Sequence, residues 1–89
     1  MVSEKKYLGS ITILLQEREK NSQKLNTVLT KNSHFIMARL GINVQPKCTH
    51  DCTGMIILAI QGTKKEINDL AKKISLIKSA HAKVSLITK

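Results

Sequence analysis

Hydrophobic positions change period several times along the chain, and each change marks an element. In "YLGSITILL", residues 7 to 15, Ile11, Ile13 and Leu15 share one side while Ser10 and Thr12 fall on the other. That alternation predicts a strand. The next stretch, "QEREKNSQKLNTVLTKNS", is mostly polar, with Leu25, Val28 and Leu29 at i, i+3 and i+4. This predicts an amphipathic helix whose Glu17 and Glu19 suit the positive end of the helix dipole, ended by Asn32 and Ser33. "HFIMARLGINV" predicts a second strand from His34 to about Val44, with Gly41 as the candidate point of interruption. A loop opened by Pro46 and closed by Gly54 leads into "MIILAI", residues 55 to 60. A run with no polar residue predicts a central strand covered on both faces. After the turn "QGT", Ile67, Leu70, Ala71, Ile74 and Ile77 recur at helical period, predicting a second helix from Lys64 to Ser79. "HAKVSLITK" closes the chain as a strand.

The order β-α-β-β-α-β predicts an α+β, ferredoxin-like sandwich: a four-stranded antiparallel sheet with both helices on one face. Residues 1–89 form one domain in this reading. The other sheet face should meet water, yet "MIILAI" is wholly apolar and Leu8, Leu14 and Ile87 stand at off-core positions. An apolar outer face on a small domain predicts association through the sheet, as a homodimer or higher homo-oligomer.

Composition adjusts this picture in three ways. A chain of 89 residues buries only about 60–65% of the surface it exposes when unfolded, so its stability margin is thin. With Tyr7 and Phe35 as its only aromatics, the core must be built from Ile, Leu and Val. The net charge of +9 favours anionic partners, whether nucleic acid, an acidic protein or a membrane surface. The lysines are dispersed, however, and a solvated basic exterior explains them equally well. "MVSEKKYLGS" lacks the apolar run of a signal peptide, and no window approaches the ~18 apolar residues of a membrane span. The expectation is a cytoplasmic protein without membrane contact, where thiols stay reduced and a structural disulfide is the less expected use of the cysteines.

Several segments resemble one family. "ITILLQEREKNSQKLNTVL", "ARLGINVQ" and "INDLAKKISLIKSAHAKVSLI" are similar to the regulators of the iron-only hydrogenase system. These are ACT-like domains related to the C-terminal domain of the nickel-responsive repressor. The resemblance runs from about Tyr7 to Ile87, and "EREK" after strand one and "RLGIN" ending strand two are its most telling pieces. It implies a ferredoxin-like fold and a regulatory or ligand-sensing role. The chain departs from the family pattern in "KKISLIKSAHAKV", where a glycine-containing run is expected, and in its longer central loop.

That loop carries the candidate chemistry. "KCTHDC", residues 47 to 52, holds both cysteines of the chain. Cys48, His50 and Cys52 are soft and borderline ligands suited to a transition metal such as zinc, nickel or iron. One chain supplies three ligands at best, so a closed site needs a second subunit. Alternatively the two thiols form a reversible disulfide, with His50 and Lys47 able to lower a thiol pKa, or they remain free. The sequence leaves all three open.

Other functions find less support. RNA-recognition domains of this element order stack bases on aromatics of the central strands, which "ITILL" and "MIILAI" lack. Nucleic acid is therefore not favoured, although Lys24, Lys31, Lys64, Lys65, Lys72 and Lys73 suit non-specific phosphate contact. Amino-acid-binding ACT domains use a glycine-bearing loop after strand one, whereas "LLQEREKN" has none. The same segment offers Arg18 and Asn21 without the glycine-rich cradle of an acylphosphatase, and His34 and His81 sit at element boundaries, so the chain reads as a non-enzyme. The overall reading is a homo-oligomeric regulatory domain that senses a ligand, a metal or redox state, with transcriptional regulation through a partner as a role open to it. The competing reading is a basic adaptor that binds nucleic acid or an acidic protein without sensing.

Overall fold

A computed structural model describes residues 5–45, 47–49 and 52–87. The elements are β1 (Tyr7–Leu15), α1 (Arg18–Lys31), a 3-10 turn (Ser33–Phe35), β2 (Ile36–Asn43), β3 (Gly54–Gly62), α2 (Lys64–Ser75) and β4 (Ala80–Ile87). The four strands form one antiparallel sheet in the order β2-β3-β1-β4, the ferredoxin-like arrangement expected from the element order.

Alternation in β1 decides where the core lies. Ile11 and Ile13 are fully buried and Leu15 nearly so. They share the helix-facing side with Leu58 and Ile60 of β3, and Leu25, Leu29, Ile67, Leu70 and Ile74 close over them from α1 and α2. Gly9 is required on this side: a Cβ there would strike the backbone carbonyl of Ser85 on the neighbouring strand.

Two boundaries and the burial of one strand differ from the sequence reading. β2 begins at Ile36 rather than His34, because residues 33–35 make a 3-10 turn that carries the chain off α1. α2 stops at Ser75 rather than Ser79. Beyond it Leu76 points to solvent, Ile77 folds back into the core, and Ser79 takes a left-handed φ of 66° to turn into β4. β3 is buried on one face, not two: Leu58 and Ile60 are enclosed, but Met55, Ile57 and Ala59 are only half-buried.

The largest departure lies in β2, which runs through Gly41 without interruption. The irregularity sits earlier, between Ile36 and Ala38, where the register against β3 shifts. An extra residue on one strand inverts which side every later residue faces. Ile36 pairs with Ile60 on the helix side. After the shift Arg39 lies opposite buried Leu58, and Gly41 opposite Ile56, on that same side. Leu40 and Ile42 pair with Ile57 and Met55 on the outer face.

The start of α2 is a complete capping box. The Glu66 N–H donates to Thr63 Oγ1 at 3.1 Å, and the Thr63 N–H donates to Glu66 Oε1 at 2.8 Å. The backbone hydrogen bond from Thr63 holds the Glu66 carboxyl below its ordinary pKa. Thr63→Ala is expected to lower stability by about 1 kcal/mol, seen as a lower urea midpoint with unchanged slope. A carboxyl whose pKa falls on folding adds stability above its unfolded pKa and loses it as pH drops through the folded value. Alanine keeps this backbone N–H, so the acid-sensitive part of the cap should be lost from wild type and variant alike as pH drops below the ordinary range of a glutamate.

Candidate functional site

The cysteine loop joins the ends of β2 and β3, whose last pair is Asn43 opposite Gly54. Its two flanks are tied to Gln45: Cys48 N–H donates to the Gln45 carbonyl at 2.9 Å and Thr53 N–H to Gln45 Oε1 at 2.9 Å. This closure brings the Cys48 and Cys52 Cα atoms to 5.7 Å, inside the range a disulfide spans, and the two sulfurs are bonded. The sequence left the state of this pair open and expected reduced thiols first. The structure holds the oxidised pair because hairpin ends place residues four apart as near neighbours. In this form neither sulfur is a free thiolate for a metal. Of the proposed ligands Cys48, His50 and Cys52, His50 lies outside the described residues. No group of three His, Cys, Asp or Glu suited to a metal ion occurs among the described residues.

Cys52 is 3% exposed, whereas Cys48 is half-buried. The Cys52 peptide unit is gripped on both sides by the first turn of α1. Its carbonyl accepts from Arg18 N–H at 2.8 Å, and its N–H donates to Glu19 Oε1 at 3.0 Å. The first bond satisfies one of the orphan donors at the helix start, where Glu17 supplies no side-chain cap. Glu17 itself is left-handed, with φ 50°, and turns the chain sharply from β1 into α1. Asn21 braces that turn from inside. It is buried, and its amide donates to the carbonyls of Gln16 at 3.1 Å and Glu17 at 3.4 Å. Asn21 thus has a structural duty, and Glu19, read from sequence only as dipole compensation, also locks the cysteine loop.

Beside this junction, between α1 and the far halves of β2 and β3, opens a crevice of about 300 Å³. Leu15, Leu25 and Ile56 supply apolar wall; Arg18, Ser22, Asn26 and Arg39 supply polar groups. The opening exists because the β2 shift brings Gly41 to the helix side, where a Cβ would meet nothing within 4 Å. Arg39 crosses to α1 and donates from Nη2 to Asn26 Oδ1 at 2.6 Å. Sequence reading took Gly41 as a candidate interruption of the strand and gave Arg39 no role of its own. Their only signal was a charged residue embedded in an apolar strand.

The helix lysines Lys24, Lys31, Lys64, Lys65, Lys72 and Lys73 are all exposed on the helix layer. His34 stacks its ring against Phe35 at 4.0 Å in the 3-10 turn, and His81 is exposed on β4. No helix among the described residues is long and apolar enough to cross a membrane.

Among curated proteins no relative matches the chain. Among solved structures, "uncharacterized protein TM1266 from Thermotoga maritima" superposes with a TM-score of 0.83 at 24% identity, covering 94% of this chain and 100% of its own. That likeness establishes the shared fold. The profile of the TM1266-like family, described as "Iron-only hydrogenase system regulator, putative", matches residues 7–84, and the chain belongs to that family.

Proposed function

We propose that this domain is a redox-responsive regulatory module, homo-oligomeric through its outer sheet face, with the Cys48/Cys52 pair as its sensing element. One observation carries the reading: the disulfide-bonded Cys52 is the residue that caps and clamps the start of α1. A change at the sulfurs therefore acts on a helix end, not on an isolated loop. Exchange with a dithiol reductant has a defined course. A reductant thiolate attacks the more accessible Cys48 Sγ, the S–S bond breaks, and Cys52 leaves as thiolate and takes up a proton. The reductant's second thiol then resolves the mixed disulfide, so two electrons and two protons reach the protein and the reductant becomes a disulfide. Released from the ring, the Cys52 peptide holds α1 less firmly. A partner that reads this end of the domain, such as a transcriptional component, receives the signal.

Amide hydrogen exchange with and without dithiothreitol tests this. Reduction is expected to speed exchange at Arg18 and Cys52 at least tenfold while the centre of α2 stays protected. Cys48→Ser/Cys52→Ser should exchange like the reduced form in both conditions. Unchanged protection at Arg18 on reduction, confirmed by thiol alkylation and mass, would overturn the redox reading. The reduced pair is also the form in which Cys48 and Cys52, with His50, offer ligands to zinc, nickel or iron. Elemental analysis of anaerobically purified protein decides that branch: metal present in the native chain and absent from the double serine variant makes the pair a metal sensor instead.

A further inference from the structure

The crevice between α1 and the edge of the sheet has no part in the disulfide chemistry, and its composition is unusual for a space that adjoins a core. An edge strand normally turns hydrophobic side chains toward the helices and polar ones outward. β2 does the reverse beyond its register shift. It sends Leu40 and Ile42 out and brings Arg39 and Gly41 in. The result is an apolar cleft of about 300 Å³ walled by Leu15, Leu25 and Ile56, with two arginines and no carboxylate among its lining residues.

Arg18 adds a second observation. Its guanidinium makes no hydrogen bond or ion pair with any described residue. Its aliphatic stem passes over Gly54, with Cδ 3.1 Å from where a Cβ would stand. Arg39 is positioned from the opposite wall by Asn26. Two cations beside an apolar floor, with no acid among the lining residues to neutralise them, favour a ligand that is anionic at one end and apolar at the other. Size narrows the class further. At about 30 Å³ per water-sized group, the space suits a ligand of roughly ten non-hydrogen atoms.

We infer that this crevice binds a small organic carboxylate, its carboxylate between Arg18 and Arg39 and its hydrocarbon part over Gly41 against Leu25 and Ile56. The site is complete within one chain.

The probe is benzoate, titrated into the full chain and followed by backbone amide NMR shifts, with benzamide and inorganic phosphate as comparisons. Saturable binding near a millimolar or tighter is expected for benzoate, with shifts centred on Gly41, Gly54 and the first two turns of α1. Benzamide, which keeps the ring and loses the charge, and phosphate, which keeps the charge and loses the ring, should each bind at least tenfold more weakly. Gly41→Leu should abolish binding by filling the cleft. Its backbone is not in the left-handed region and its new side chain enters open space, so the fold should hold, with an unchanged or raised Tm. Arg39→Gln, at an exposed position, should weaken benzoate about tenfold and leave benzamide unaffected. Equal affinity for benzoate and benzamide, undiminished binding in Gly41→Leu, or no saturation by 50 mM benzoate would each overturn the assignment.

Discussion

Replacing Leu58 with alanine is expected to lower the unfolding free energy by about 3 kcal/mol, within the usual range for a buried leucine. Leu58 is fully buried at the middle of β3, opposite Ile11 on one side and Arg39 on the other. Its environment gives it no means of collapse. The sheet fixes the backbone on both sides, and the branched Ile11, Ile13 and Ile60 around it have few rotamers with which to fill a hole. The consequence is disproportionate because the domain is small. A chain of this length has a total stability of roughly 4–13 kcal/mol, so one truncation removes more than about a fifth of it. Urea unfolding followed by circular dichroism measures the effect: the midpoint should fall sharply with little change in slope. Leu76→Ala is the contrast. Leu76 is 85% exposed just past α2, and its loss should move stability by less than about 0.5 kcal/mol. Equal effects at the two positions would mean that the core is not where the strand alternation places it.

Why that core could be located from residue types alone is clear from β1 and α2. Ile11, Ile13 and Leu15 alternate without exception, and Ile67, Leu70 and Ile74 keep helical period across two turns. Local preference and burial agree there, so the periodicity leaves one solution. β2 is the opposite case. An uninterrupted period of two would group Ile36, Ala38, Leu40 and Ile42 on the core side and leave Arg39 outside. The shift after Ile36 undoes that grouping, yet no glycine or proline at position 37 announces it. Its cause is tertiary: Ile36 must reach Ile60 as the chain leaves the 3-10 turn, while the rest of the strand follows the register of β3.

The candidate sites divide along the same line. "KCTHDC" was conspicuous because cysteines are chemically distinctive at any position. What the pair touches was hidden, since Glu19 and Arg18 come to Cys52 from 33 and 34 residues away in sequence. The crevice had no sequence signature at all. Gly41 resembled a strand break and Arg39 an ordinary surface charge until the register shift placed both against α1.

The same shift sharpens the expectation for the outer face. With Leu40 and Ile42 turned outward beside Ile57, Met55 and Leu14, the apolar surface extends from the edge strand to the sheet centre, and Leu40 is 58% exposed. Ser10 and Thr12 of β1 and Gln61 of β3 add polar groups to this face, and on β4 His81, Lys83 and Ser85 occupy the outer positions. Self-association through this face brings together two chains that each carry +9, so apolar burial must outweigh repulsion. Added salt screens that repulsion, with a Debye length of ~8 Å at 0.15 M, and should therefore strengthen the dimer. Binding of nucleic acid by the helix lysines would respond the other way, weakening because displaced counterions gain less entropy on release into a saltier solution. Sedimentation between 50 and 500 mM salt, with and without an oligonucleotide, thus separates the two readings by the sign of the slope. Leu40→Lys should then raise the dimer dissociation constant roughly a hundredfold or more, because a two-fold interface receives two unpaired buried charges from one substitution. The monomer should keep its stability within about 0.5 kcal/mol, since a lysine on an exposed edge strand is well tolerated. A wild-type chain that stays monomeric at every salt concentration, or a variant that dimerises as well as wild type, would move the interface off this face of the sheet.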